Sequence, residues 1–318
     1  MMTTSIGIDM RFPVSFGPLQ PLAVRAGPRR YHRIIGALGL LAIAGLLQAC
    51  SVMKIFYNQA PDFAYWYLDG YLNLTDAQSL QLKESLNRLQ TWHRQSQLPS
   101  YVDALHGLQQ QATSDITANA ACAAFAEVRR KLVAVSDKAE PMAAALVGTL
   151  KPDQLKQLER TFAKNNAKDE QELSGNSFRE RQEKRVEQAR DRAEKLYGPL
   201  EDRQMAVLNQ QMKQSGFDAG MLHAEQQRRQ RDTLQTLLPL AAGQSSTEQA
   251  QAALRGLMER TLNSPNPLYR GYLERMTQEG CQAFAALHNS TTPAQRGKAL
   301  ETLRSYEQDF RTLNAQKS

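Results

Sequence analysis

Leu74-Thr75-Asp76-Ala77-Gln78-Ser79-Leu80-Gln81-Leu82-Lys83-Glu84-Ser85-Leu86 is the stretch that decides the fold. Thr75 suits a helix cap, and Asp76 suits the positive end of a first helical turn. Leu82 and Leu86, four and eight residues after Gln78, then lie on one helical stripe. The pattern returns as Leu150-Lys151-Pro152-Asp153-Gln154, Leu200-Glu201-Asp202-Arg203-Gln204 and Thr291-Thr292-Pro293-Ala294-Gln295. Each copy has Pro or Asp two residues before the Gln, where a first turn accepts it. Each is followed by its own stripe: Leu158 and Phe162, Leu208 and Met212, Ala299 and Leu303. Two readings stay open. Capping chemistry recurs in any helical protein, whereas duplicated helical hairpins would repeat it for a structural reason.

Working outward from these starts, the chain after Cys50 contains no strand-like run. Gly is thin there, while Ala, Leu, Gln, Glu, Arg and Lys dominate, all good helix formers. Pro61, Pro99, Pro152, Pro199, Pro239, Pro265, Pro267 and Pro293 sit where helices should begin or end, and Pro141 should kink or split one. The polar run from Lys164-Asn165-Asn166 to Gly175-Asn176-Ser177 reads as a loop or helix break. Phe178 to Leu196, dense in both charges, reads as a solvated helix laced with i,i+4 pairs. The expectation is an all-α bundle or array of roughly nine to eleven helices, forming a single elongated or two-lobed domain.

The net charge of +7 has to be divided before it is used. Residues 1–50 hold five Arg and one Asp, leaving 34 basic and 31 acidic residues, so the remainder carries only +3. That thin excess argues against a nucleic-acid partner, which needs a concentrated basic face. Arg25, Arg29, Arg30 and Arg33 precede a fourteen-residue apolar run, Ile34 to Leu47. Such a run is short for a transmembrane helix, which needs about twenty residues, and suits a secretory signal. It ends in Leu47-Gln48-Ala49-Cys50, which resembles the lipobox of bacterial lipoprotein precursors, with Gln48 departing from the usual small or aliphatic residue. The resemblance implies a diacylglyceryl group on Cys50 and cleavage just before it. Residues 1–24 then read as an upstream extension, 25–49 as a signal peptide, and 50–318 as a lipid-anchored helical periplasmic domain. Ser51 is not the Asp that favours inner-membrane retention in enteric bacteria, so the resemblance favours the periplasmic face of the outer membrane.

Seven of 22 aromatic residues fall between positions 56 and 71, only six residues past Cys50. Phe63, Trp66 and Tyr67, at i, i+3 and i+4, read as core, and Tyr57, Tyr65 and Tyr71 as candidates for an interface with headgroups or a partner. With Cys50 used by the lipid and the compartment oxidising, Cys122 and Cys281 are expected to form a disulfide. Both open a Cys-x-x-Phe-Ala pattern, which suggests equivalent inward positions on two helices. No catalytic residue, metal ligand or cofactor motif is read: His93, His106, His223 and His288 are scattered, and no phosphate loop, nucleophile elbow or Cys pair with metal spacing occurs. In Trp92-His93-Arg94, helical spacing should turn one residue in and the others out.

Tyr57-Asn58, Trp66 to Leu74, Phe162-Ala163-Lys164-Asn165-Asn166 and His288 to Arg296 resemble a family of uncharacterised helical lipoproteins of Gram-negative bacteria, which implies fold and compartment but no activity. Leu74-Thr75-Asp76-Ala77-Gln78 is also similar to the LTxxQ motif of small periplasmic chaperones, although the other three copies depart from it at the Thr or the Leu. The expected function is non-enzymatic: binding of an unidentified envelope protein in a chaperone-like or scaffolding role, with membrane attachment through Cys50. A cell-wall or lipid hydrolase, and a lipid carrier with an apolar cavity, are the alternatives.

Overall fold

The apolar stripes of the sequence become the packed faces of helices in a computed structural model, which describes residues 52–241 and 245–316. In chain order the helices are α1 (Val52–Asn58), α2 (Ala60–Leu72), α3 (Asp76–Trp92), α4 (Leu98–Gln111), α5 (Ala118–Val147), α6 (Pro152–Gly175), α7 (Phe178–Tyr197), α8 (Asp202–Gln214), α9 (Ala219–Leu237), α10 (Thr247–Leu262), α11 (Pro267–Ser290) and α12 (Pro293–Ala315). A π turn at His93–Gln97 fuses α3 to α4, so the described residues form eleven continuous helical segments and no strand. The expected all-α class holds. The expected leader, Cys50 and Ser51 lie outside the described residues.

Two boundaries differ from the sequence reading. α5 runs unbroken through Pro141. The polar run 164–175 is not a loop but the second half of α6, and the chain breaks only at Asn176-Ser177. Its amides find partners from the helix: Asn165 Nδ2 donates to the Tyr71 hydroxyl (2.9 Å), and Asn166 Nδ2 to Gln230 Oε1 (2.7 Å). Polarity there marks a solvated helix with polar cross-links, which composition alone does not separate from a loop.

The four recurring pentapeptides do begin helices, and each Gln does more than cap. Its side-chain carbonyl accepts the backbone N–H three residues back, from Thr75 (2.9 Å), Lys151 (3.0 Å), Glu201 (2.8 Å) and Thr292 (2.9 Å). Thr75 and Thr292 complete the box by accepting the N–H of Gln78 and Gln295. The amide group then reaches across to another hairpin. Gln78 Nε2 donates to the Thr149 carbonyl (2.8 Å), while Gln154 Nε2 donates to the carbonyls of Leu72 (3.3 Å) and Asn73 (3.1 Å). The two amides also bond each other, at 3.1 and 2.8 Å. In the second half, Gln204 Nε2 donates to the Ser290 carbonyl (2.8 Å) and Gln295 Nε2 to the Pro199 carbonyl (2.9 Å). Gln295 and Gln204 meet at 3.4 Å.

Each Gln therefore satisfies orphan donors at its own helix start and orphan acceptors at the end of the helix that enters the partner turn. One clasp locks the turns α2–α3 and α5–α6; the other locks α7–α8 and α11–α12. The same device in both halves favours duplicated hairpins over a merely repeated capping signature. The halves then interlock, with α4 packed on α12, α6 on α9, and α5 on both α10 and α11. At the α5–α11 contact Cys122 and Cys281 form a disulfide, with Cα atoms 5.2 Å apart, and Phe125 and Phe284 meet edge to face at 5.9 Å. The matched Cys-x-x-Phe-Ala patterns thus meet thiol to thiol and ring to ring.

The main apolar core joins Leu72, Leu82, Leu86, Leu150, Leu155 and Leu158 to Leu237, Leu240 and Ala250. Deleting a buried Leu of this kind costs about 2–5 kcal/mol. Smaller clusters gather around Tyr197 with Ala299, and around Tyr269, Tyr272 and Met276.

Candidate functional site

The first described helices, α1 and α2, carry the aromatic segment, and the π turn holds them in place. A π turn inserts one residue into the helical ladder and rotates the side chains beyond it. Here it lets two consecutive residues face α1. His93 Nδ1 meets the Tyr57 hydroxyl (3.0 Å), and His93 Nε2 meets the Tyr101 hydroxyl of α4 (3.0 Å). Arg94 is buried, donates to Asn58 Oδ1 (3.0 Å) and lies over the Tyr57 ring. Gln90 Nε2 donates to the Tyr57 carbonyl (2.6 Å), and Lys54 pairs with buried Asp309 of α12 (3.6 Å). Trp92 sits under Lys138 of α5. All three residues of Trp92-His93-Arg94 are thus engaged; the single inward residue expected from α-periodicity does not describe a π turn.

Burial sets the protonation of this group. It pushes the Tyr57 phenol up to about 12 against the opposing pull of Arg94, raises Tyr101, and pushes the His93 imidazole down. At neutral pH the three side chains are uncharged and joined by hydrogen bonds. Such a chain fixes α1 to the body. Lys131 of α5 closes one side, donating to the Ser100 carbonyl (3.1 Å) and hydroxyl (3.0 Å) beside the Tyr101 ring.

The division of aromatics between core and surface departs from the sequence expectation at Trp66, whereas Phe63 and Tyr67 are half-buried, as are the three tyrosines. Tyr57, Tyr65 and Tyr71 are half-buried with their hydroxyls taken: Tyr57 by His93, Tyr65 donating to Ser79 Oγ (3.2 Å), and Tyr71 accepting from Asn165. Tyr65 and Tyr71 pack against the main core, Tyr71 edge to face with Phe162 at 5.9 Å. Trp66, expected in the core, is 61% exposed, and Ile55 and Phe56 are each 55% exposed. Phe63 bridges Phe56 (6.0 Å) and Trp66 (5.8 Å), which makes one patch across α1 and α2. α1 folds back onto α12 and against Gln90 and the π turn, which fixes Tyr57, whereas Tyr65 and Tyr71 are held by α3 and α6 and Trp66 is left open. Ile55 carried no signal of its own in the sequence; its exposure follows from the fold-back.

Among the described residues, no three His, Cys, Asp or Glu side chains converge so as to hold a metal ion, and no helix is long and apolar enough to cross a membrane. His288 is the other buried imidazole. Its Nε2–H donates to the Ser114 carbonyl (2.8 Å), so its Nδ1 accepts from the Tyr197 hydroxyl (2.9 Å). It joins α7, α11 and the loop before α5. Half-exposed His106 pairs with Glu307 (2.8 Å), and His223, largely covered, with Glu170 (3.3 Å).

No curated protein and no solved structure matches the chain. A family model does match, over residues 70–270, which takes in three of the four pentapeptides but not the aromatic patch or α12. The chain belongs to that family, described as a family of unknown function (DUF6279).

Proposed function

We propose that this chain is a lipoprotein of a Gram-negative envelope, held by acyl chains on Cys50 at the periplasmic face of the outer membrane. It binds another envelope component there, in a chaperone-like or scaffolding role, and catalyses no reaction. One observation carries the reading: Cys50 stands three residues after the apolar run 34–47, and the first described helix begins at Val52, two residues further on. A domain joined so directly to its lipid works at the membrane surface.

The hydrolase alternative calls for a carboxylic acid raised in a polar cleft. The displaced carboxylates here point the other way. Arg260 leads in holding Asp232 down, and hydrogen bonds from Gln109, Arg311 and His106 hold Glu307 down to about 2. The carrier alternative calls for a closed apolar cavity; the groove between α7 and α8 is open and lined by Arg179, Glu183 and Lys184 beside Val186 and Met205.

The partner is sought at exposed apolar positions far along the chain from the anchor. Photo-crosslinking residues at Phe178 and Leu268, 74% and 73% exposed, are irradiated in intact envelopes. A discrete adduct that disappears in Cys50→Ser supports an envelope partner met at the membrane. Absence of any adduct at both positions overturns the binding role.

A further inference from the structure

The exposed aromatic patch raises a question that anchoring alone leaves open. A lipid fixes one point of a protein to a bilayer; it does not fix the orientation of the body. Ile55, Phe56 and Trp66 are each more than half exposed; Phe63 links the rings of Phe56 and Trp66 into one surface on α1 and α2, and Ile55 adjoins Phe56 in the chain. Large apolar side chains gathered in this way mark an interaction surface rather than ordinary scatter. We infer that this patch is a membrane-docking surface, which seats the ring of Trp66 and the side chains of Ile55 and Phe56 at headgroup depth and so sets the orientation of the whole helical body. The inference rests on the anchoring of Cys50 proposed above.

Chain geometry identifies the occupant. Ile55 lies five residues from Cys50, and five residues span at most about 17–18 Å even when fully extended. Residues 52–58 are helical, which shortens the reach further, since a helix rises only about 1.5 Å per residue. A patch tied that closely to an acyl chain cannot lie far from the bilayer surface. Its chemistry fits the same place, because Trp is enriched at the membrane–water interface. The patch is also rigid. Tyr57, between Phe56 and Asn58, is bonded to His93, and Asn58 to Arg94, so α1 cannot swing its apolar face away from the body without breaking those bonds. Asp62, exposed on α2 one turn before Trp66, is an acidic neighbour, so docking is driven by the aromatic and aliphatic groups and not by attraction to anionic lipid. Salt should therefore leave it unchanged.

Trp66 itself reports the contact. The lipidated mature protein carrying Trp92→Phe has Trp66 as its one tryptophan in the chain after Cys50. It is placed on vesicles of phosphatidylethanolamine and phosphatidylglycerol that contain lipid brominated high on the acyl chain, and the mass of the N-terminal peptide is read on the same sample. The expected result is a blue shift and strong quenching of Trp66 that persist at high salt. In Ile55→Ser/Phe56→Ser, with both positions exposed, the protein stays vesicle-bound through its lipid but loses most of that quenching. An acylated, vesicle-bound protein whose Trp66 keeps a water-exposed emission, unquenched, overturns the docking while leaving the anchor intact. A chain that carries no acyl group overturns the anchor, and the docking with it.

Discussion

The glutamine clasps can be tested as pairs. Gln154 is 7% exposed; it accepts one backbone N–H and donates to two backbone carbonyls and to Gln78. With a net value of about 1 kcal/mol for each effective buried hydrogen bond, Gln154→Ala should cost about 3 kcal/mol. Gln78→Ala should cost a similar amount, since it loses the Thr75 N–H, the Thr149 carbonyl and Gln154. The two amides share two reciprocal bonds, so the double variant should be about 1–2 kcal/mol less damaging than the sum of the singles. Gln78→Ala with Gln204→Ala joins residues of different clasps that share no partner; their costs should add within about 0.5 kcal/mol. The assay is denaturant unfolding followed by far-ultraviolet circular dichroism, with the disulfide intact. Additivity within about 0.5 kcal/mol for the Gln78 and Gln154 pair would refute the clasp and reduce the four pentapeptides to independent caps.

Three further outcomes follow from the geometry. Closing a loop with a sequence separation of 159 residues, the Cys122–Cys281 bond should stabilise the fold by up to about 5 kcal/mol in the chain-entropy model. Alkylation of the denatured, unreduced protein should find neither thiol free, and two labelled thiols would refute the bond. Burial lowers the affinity of His93 and His288 for a proton, so the unfolded chain takes up protons first as the pH falls. Stability should be flat between the unfolded histidine value of about 6.5 and the onset of tyrosine ionisation as the pH nears about 10, and should decline from about 6.5 toward pH 5. The lowered carboxylates cannot produce that decline, because their contribution is lost only below about 4.5. An equal decline in His93→Gln/His288→Gln would assign the slope elsewhere. Finally, Tyr57→Phe, Tyr65→Phe and Tyr71→Phe should each cost about 1 kcal/mol through lost hydrogen bonds, and Trp66→Ser less than about 0.5 kcal/mol. The reverse order in thermal unfolding would return the tyrosines to the surface.

Helix starts were legible because caps and stripes are local. Thr75, Pro152, Asp202 and Pro293 announce first turns without help from the rest of the chain. The disulfide was legible for a different reason: two thiols in one repeated pattern have few other partners. Local signals carry less information about which face of a helix is covered. The sequence places Tyr57 and Trp66 in the same aromatic run, and only the fold-back of α1 onto α12, Gln90 and the π turn separates them into a held ring and an exposed one. The π turn was invisible for a similar reason. Nothing in His93-Arg94-Gln95-Ser96-Gln97 forbids an ordinary α-helix; the widening is imposed by tertiary contacts that bring both His93 and Arg94 to α1. The second function of each Gln was hidden likewise, because the carbonyls it reaches lie 71 to 96 residues away in the chain.

The proposed lipid anchor stands or falls with Cys50. Cells producing the full chain or Cys50→Ser are grown with radiolabelled palmitate, and the immunoprecipitated protein is resolved beside the intact mass of its N-terminal peptide. The reading of a lipid-anchored envelope protein predicts a labelled mature chain that begins at an acylated Cys50, and an unlabelled, unprocessed precursor for Cys50→Ser. A mature chain that carries a free Cys50 thiol, or labelling that survives Cys50→Ser, would contradict it.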